Sequence, residues 1–195
     1  MNTENTATNT KLAEDRTLIA MVGLPRSGKS TITQKLSKEL QAPIVSKDNI
    51  RLALHGRAYE TLAEPFVKAI SKVMVHSLFL SGHRVVIADE THYSRAARTF
   101  MADGPWTTRF YVVPTSAEIC SQRAIDTGQS YLLPVIKEMV ARWEPLEKDE
   151  LEYKGYAFNP AVSCDKCAST ALDFIDKQIF HKNDHVWPGY AWETY

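Results

Sequence analysis

The sequence predicts an α/β domain in which a parallel sheet is covered by helices on both faces. Two observations predict it. Short apolar runs alternate with longer segments whose apolar residues recur at helical spacing, the pattern of βαβ units. The chemically versatile residues then stand directly after the apolar runs, where ligands of open parallel sheets bind.

The elements follow in order. Thr17 to Val22 is an apolar run that ends at Gly23, a first strand. Ser30 to Leu40 carries Ile32, Leu36 and Leu40 at helical spacing. Ile44 to Val45 is a short second strand. Pro65 opens a helix whose inner stripe is expected at Phe66, Ile70, Val73, Met74 and Leu78. Val85 to Ala88 is a third strand, closed by Asp89, and Arg109 to Val113 a fourth, stopped by Pro114. Thr115 and Glu118 have the spacing of a capping box at the start of the next helix. Pro134 starts another, with Ile136, Met139, Val140 and Trp143 expected inward.

Composition bounds the function. The chain has 195 residues, 44% hydrophobic and 24% charged, with 23 basic and 23 acidic side chains and a formal net charge of zero. A neutral chain is not held on nucleic acid by a large basic field. No apolar run reaches the roughly 18 residues that a membrane span needs, and Met1 to Arg16 lacks the apolar centre of a secretory signal. Three cysteines, Cys120, Cys164 and Cys167, are too few for a disulfide framework, so the expected compartment is the reducing cytoplasm. Residues 1–15, rich in Asn and Thr, are expected to be a disordered tail. Residues 16–160 are read as the main domain and 161–195 as a C-terminal extension.

Gly23-Leu24-Pro25-Arg26-Ser27-Gly28-Lys29-Ser30, continued by Thr31, fits G-x-x-x-x-G-K-[ST], the P-loop. The glycines let the backbone turn its N–H groups toward phosphate oxygens, and the following helix adds its positive end. Lys29 is expected to reach the terminal phosphates and Ser30 to ligate Mg²⁺. Asp89, at the end of a buried strand, is expected to hold the same ion through water. The ligands implied by these residues are a nucleotide's phosphates and Mg²⁺; a P-loop alone fits a switch, a motor or a kinase.

Ser46-Lys47-Asp48-Asn49-Ile50-Arg51 follows the second strand, and Ile87-Ala88-Asp89-Glu90-Thr91-His92-Tyr93-Ser94-Arg95-Ala96-Ala97-Arg98 follows the third. With the P-loop, and a helix around Arg123, these segments resemble the small P-loop kinases related to phage polynucleotide 5′-kinase and the zeta-toxin kinases. The resemblance runs from about Leu18 to Trp143. It implies an ATP-dependent kinase with Asp48 as general base, Arg51 as clamp on the acceptor, and Arg123 as a lid arginine that neutralises charge on the transferred phosphoryl. It sets Thr91, Arg95 and Arg98 against the acceptor groove or, equally, makes the two arginines decoration on a helix. The polynucleotide kinases carry a second lid arginine where this chain has Thr127, which leaves more of that task to Arg123, or passes it to Arg26 or Arg142.

The expected acceptor is a hydroxyl of a nucleic-acid 5′ end or of a nucleoside-like molecule, with Lys47, Arg51, Arg57, Arg95 and Arg98 as the local basic set. A small metabolite or sugar is the alternative. A regulatory NTPase with no phosphoryl acceptor is the alternative of another class, against which Asp48 and Arg51 speak.

The C-terminal extension carries Cys164-x₂-Cys167 and His181-x₃-His185 at a spacing that suits a Zn²⁺ site. It also carries a strand-like run, Ala171 to Ile175. The acidic stretch between Glu144 and Glu152 reads as a solvated connector.

Overall fold

The computed structural model describes residues 16–56 and 61–150. Four parallel strands, β1 (Thr17–Val22), β2 (Ile44–Ser46), β3 (Val85–Asp89) and β4 (Thr107–Val112), form one sheet in the order β2-β3-β1-β4. The register pairs Ala20 with Ala88 and with Phe110, and Ser46 with Asp89. All four strands therefore end on one rim, and the residues following β1, β2 and β3 are neighbours there. The expected fold class and the first four strands are as observed, with β2, β3 and β4 shifted or extended by one or two residues. The strand expected at 171–175 lies outside the described residues.

The helices are α1 (Lys29–Leu40), α2 (Lys47–His55), α3 (Glu64–Leu80), α4 (Arg95–Ala102), α5 (Ala117–Asp126) and α6 (Leu133–Ala141), with short 3₁₀ turns at Thr61–Ala63 and Ser130–Leu132. Alternation along β1 splits the core. Ile19 and Met21 meet Ile32 and Leu36 of α1 on one face. Leu18 packs with Val67, Val75 and Phe79 of α3 and with Trp106 on the other. None of the described helices is long and apolar enough to cross a membrane.

Three local expectations are corrected. The inner stripe of α3 is Val67, Ser71, Val75 and Phe79, whereas Phe66, Val73 and Met74 are exposed and only Ile70 and Leu78 pack against the core. This helix is apolar around most of its circumference, so periodicity cannot choose its rotation. Packing does, by stacking Phe79 on Trp106 with ring centroids 5.4 Å apart and seating the small Ser71, its hydroxyl bonded within its own helix, toward the sheet. In α6, Ile136 is buried but Val140 is exposed. The cap of α5 is also displaced by one residue. Ser116, not Thr115, accepts a bond from the Ile119 amide.

The acidic stretch is exposed at Glu144, Glu147 and Asp149, as expected of a solvated helix or connector, but Glu150 at its described end is buried. Arg98, fully buried on α4, donates from Nε and Nη2 to the two carboxylate oxygens of Glu150 at 2.7 and 3.0 Å. It also bonds the carbonyls of His92, Glu144 and Pro145. Burial acts most strongly on the Glu150 carboxyl and pushes its pKa up. The Arg98 bonds and charge outweigh it and hold the group below its ordinary value. Arg95 pairs with Glu147 and Asp149, and its amide is bonded by Glu144.

Breaking a buried pair strands the surviving charge, at a cost of about 3–5 kcal/mol. Glu150→Gln should therefore lower the urea midpoint by about 3 kcal/mol equivalent with an unchanged m-value, and Arg98→Met by at least as much, because three carbonyls also lose their donor. Losses near the surface norm of about 0.5 kcal/mol for both variants would show the contact to be peripheral.

Candidate functional site

The P-loop is a turn between β1 and α1 whose shape is enforced from several sides. Gly28 adopts φ 103° and Arg26 φ 66°, both left-handed. At Gly23 a side chain has no room, since a Cβ would lie 2.9 Å from the Val113 carbonyl oxygen and 2.8 Å from Ser27 Oγ. The Gly23 amide bonds the Thr91 carbonyl at 3.0 Å, which ties the loop to the segment after β3. From the other side Thr115 donates its hydroxyl to the Ser27 carbonyl at 2.8 Å.

Lys29 sits under this turn, 8% exposed, and donates to the Leu24 carbonyl at 2.7 Å. Burial lowers its pKa to about 8, despite the opposing pull of Asp89 and Asp48. Asp89 shows the converse. Burial raises its pKa, while a hydrogen bond from Ser30 and the charge of Lys29 draw it down. The P-loop, the helix start and the end of β3 are thus in direct electrostatic contact. Arg26 Nε adds a buried donor with no partner. The hydroxyl of Ser30 and the carboxylate of Asp89, already bonded to each other, are hard oxygen ligands of the kind Mg²⁺ takes.

Asp48 lies in the first turn of α2, two residues beyond the Ser46–Asp89 register pair. Its side chain is 79% exposed, and its charge acts on both Lys29 and Asp89. Arg51, one helical turn on, donates from Nη1 to Asp48 at 2.6 Å and from Nε and Nη2 to Glu64 at 2.7 and 2.8 Å. Beside them Glu90 is nearly buried and pairs with Lys47 at 2.6 Å. His92, at φ 42°, is buried, and its Nδ1–H donates to the Met21 carbonyl at 2.8 Å. Burial lowers its pKa, against the pull of Glu90.

Arg123 stands over the loop, its Nη1 donating to the carbonyls of Arg26 and Ser27 at 3.2 Å each. Thr127 bonds back to the Arg123 and Ala124 carbonyls, and Arg142 pairs with Glu138 on the exposed side of α6. The structure therefore gathers Gly23 to Thr31, Asp48, Arg51, Asp89, Thr91 and Arg123 around one rim. Arg95 and Arg98, on the helix after β3, are both ion-paired. Both are consumed by the acidic stretch, which neutralises the groove charge expected of them. Glu64 and Glu90 were not foreseen. Glu64 is thirteen residues from Arg51 and meets it only through the packing of α2 on α3. Cys164, Cys167, His181, His185 and Arg57 lie outside the described residues, among which no group of His, Cys, Asp and Glu suits a metal centre of three or more such ligands.

Residues 18–145 match the model of a family described as an AAA domain. Among solved structures, an APS kinase from Mycobacterium tuberculosis, in complex with AMPPNP and APS, is similar with a TM-score of 0.65 at 16% identity, covering 84% of this chain and 99% of that one. A sugar kinase from Janibacter sp. HTCC2649 is similar with a TM-score of 0.58 at 19% identity, covering 83% and 94%. A shikimate kinase from Acinetobacter baumannii, in complex with shikimate, has a TM-score of 0.55 at 16% identity, covering 89% and 98%. At such identities the likeness is one of fold, that of α/β P-loop kinases. No curated protein matches the sequence.

Two outcomes are expected. Lys29 titrates near pH 8 in the free protein, and bound phosphates would raise that value. Affinity for ADP should therefore be level below pH 8 and fall as pH rises above it, with proton uptake on binding detectable by calorimetry in buffers of different ionisation enthalpy. The unliganded protein has the opposite sign: its stability should rise with pH between 8 and 10.5, where the unfolded chain holds the extra proton. Lys29→Met should remove both dependences. Gly23→Ala should weaken ADP binding by about tenfold or more while the helical circular dichroism persists, because the added methyl group meets a backbone carbonyl.

Proposed function

The chain belongs to the AAA domain family, and from that premise we propose that it is a kinase, moving the γ-phosphoryl group of ATP to a hydroxyl of a small sugar- or nucleoside-type acceptor. The observation that carries this reading is the exposed carboxylate of Asp48, on the same rim as the buried Lys29 and Asp89 and in electrostatic contact with both. A nucleotide switch needs a phosphate cradle and a metal site. It has no use for a second carboxylate held open to solvent across from them.

In the proposed reaction the loop amides and Lys29 hold the triphosphate. Asp48 accepts the proton of the acceptor hydroxyl as its oxygen bonds to the γ-phosphorus, and the bond to the bridging oxygen breaks to leave ADP. Arg123 is one side-chain movement from the transferred group, since it already lies on the loop carbonyls. Ser30 and Asp89 would hold Mg²⁺, which when bound neutralises phosphate charge.

A small acceptor is favoured over a nucleic-acid 5′ end by the fate of the basic set. Arg95 and Arg98 are paired with carboxylates, and Lys47 with Glu90, so they do not make the positive track that a polynucleotide needs. The kinases of similar fold include ones named for a sugar and for shikimate.

The test is transfer from labelled ATP to a panel of free sugars, nucleosides and 5′-hydroxyl oligonucleotides. A labelled small-molecule product is expected. Phosphate release that no acceptor stimulates or diverts would favour a regulatory NTPase. Asp48→Asn should lower kcat by about 10²–10⁴ while the KM for ATP changes by less than about threefold, since only the proton acceptor is lost. A comparable loss of ATP binding would count against a base role.

A further inference from the structure

The surroundings of Arg51 bear on which acceptors a kinase with this site admits, an inference that rests on the proposed kinase activity. An arginine recognises a phosphate or carboxylate best through a two-pronged fork of parallel N–H donors. In Arg51 the Nε/Nη2 fork is already filled by the two oxygens of Glu64, and Nη1 is bonded to Asp48. The guanidinium is 16% exposed and Glu64 27%, so this pair is half out of water and its charges are weakly screened. The next cation on the rim, Lys47, is matched in the same way by Glu90. With Asp48 itself, three carboxylates thus stand with the two cations Arg51 and Lys47 on this part of the rim. An anionic acceptor would have to displace Glu64 from the fork, or take Asp48 from the hydroxyl it must deprotonate, and would in either case meet like charge.

We propose that Glu64 is a specificity-determining residue: by occupying the Arg51 fork it closes the site to acceptors bearing a phosphate or carboxylate and selects uncharged, hydroxyl-rich molecules such as free sugars or unphosphorylated nucleosides. Arg51 is then a positioning residue. It holds Asp48 and Glu64 apart at fixed places, where their free lone pairs accept hydrogen bonds from acceptor hydroxyls.

The experiment uses matched acceptors, a nucleoside with its 3′-phosphate and a free hexose with its 1-phosphate, and the full-length protein. The wild type should favour the uncharged member of each pair by about tenfold or more in kcat/KM. Glu64→Gln, which keeps the shape and removes the charge, should reduce that preference by about tenfold, through a lower KM for the phosphate-bearing member. Glu64→Asp should retain it. A wild type that prefers the phosphate-bearing acceptors, or a preference unchanged in Glu64→Gln, overturns the proposal.

A second measurement does not depend on turnover. With the P-loop filled by a non-hydrolysable ATP analogue, inorganic phosphate is titrated into both proteins. Glu64→Gln should bind it about tenfold more tightly than the wild type, and equal binding overturns the proposal. Absence of transfer to every acceptor would sink the kinase reading, while this titration would still decide whether Glu64 closes Arg51.

Discussion

An ammonium group stripped of most of its water is the costliest feature of the rim, and the surrounding chain is arranged to tolerate it. Lys29 keeps one strong bond, to the Leu24 carbonyl, and the long-range pull of Asp89 and Asp48. These do not fully replace its hydration, which is why its pKa settles near 8. A site in that condition is poised for anions. A triphosphate restores the missing electrostatic stabilisation, and the same low dielectric that penalises the buried ammonium strengthens the contact once made. The strain of the left-handed turn at Arg26 and Gly28, the tie from Gly23 to Thr91 and the support from Thr115 all serve to keep carbonyl and ammonium in register.

What could be read from the residues came from spacing along the chain. The four strand positions, the P-loop and the residues that follow β2 and β3 are local features, and the parallel register then brings them together without further instruction. What could not be read depends on how elements rotate and meet. Helix α3 is apolar on several faces, so its buried stripe is decided by Phe79 against Trp106 rather than by its own periodicity. Arg95 and Arg98 look like groove residues from their place after β3. Their partners lie roughly fifty residues away, and a charge run that looks solvated in sequence carries the carboxylates that neutralise them.

That neutralisation changes what the molecule is suited to do. A formal net charge of zero is compatible with a strong local basic groove if the acidic residues lie elsewhere. Here they do not. Glu147, Asp149 and Glu150 are folded onto α4, Glu90 onto Lys47 and Glu64 onto Arg51. Lys47, Arg51, Arg95 and Arg98, the described cations that the resemblance offered to an acceptor, each have a carboxylate close by, whereas Arg26 Nε within the loop is buried with no partner. Positive character is thereby concentrated where a nucleotide's phosphates would lie.

The same arithmetic governs Asp48. Its neighbours include Asp89, whose pKa is raised by burial and further by the charge of Asp48. Lys29 and Arg51 lie close to the pair and offset that repulsion. In the proposed reaction, a further anion brought in on the acceptor would upset this balance where Asp48 would receive a proton. A neutral hydroxyl would not. In the proposed reaction Glu64 would extend this balance outward, by holding the Arg51 guanidinium in place.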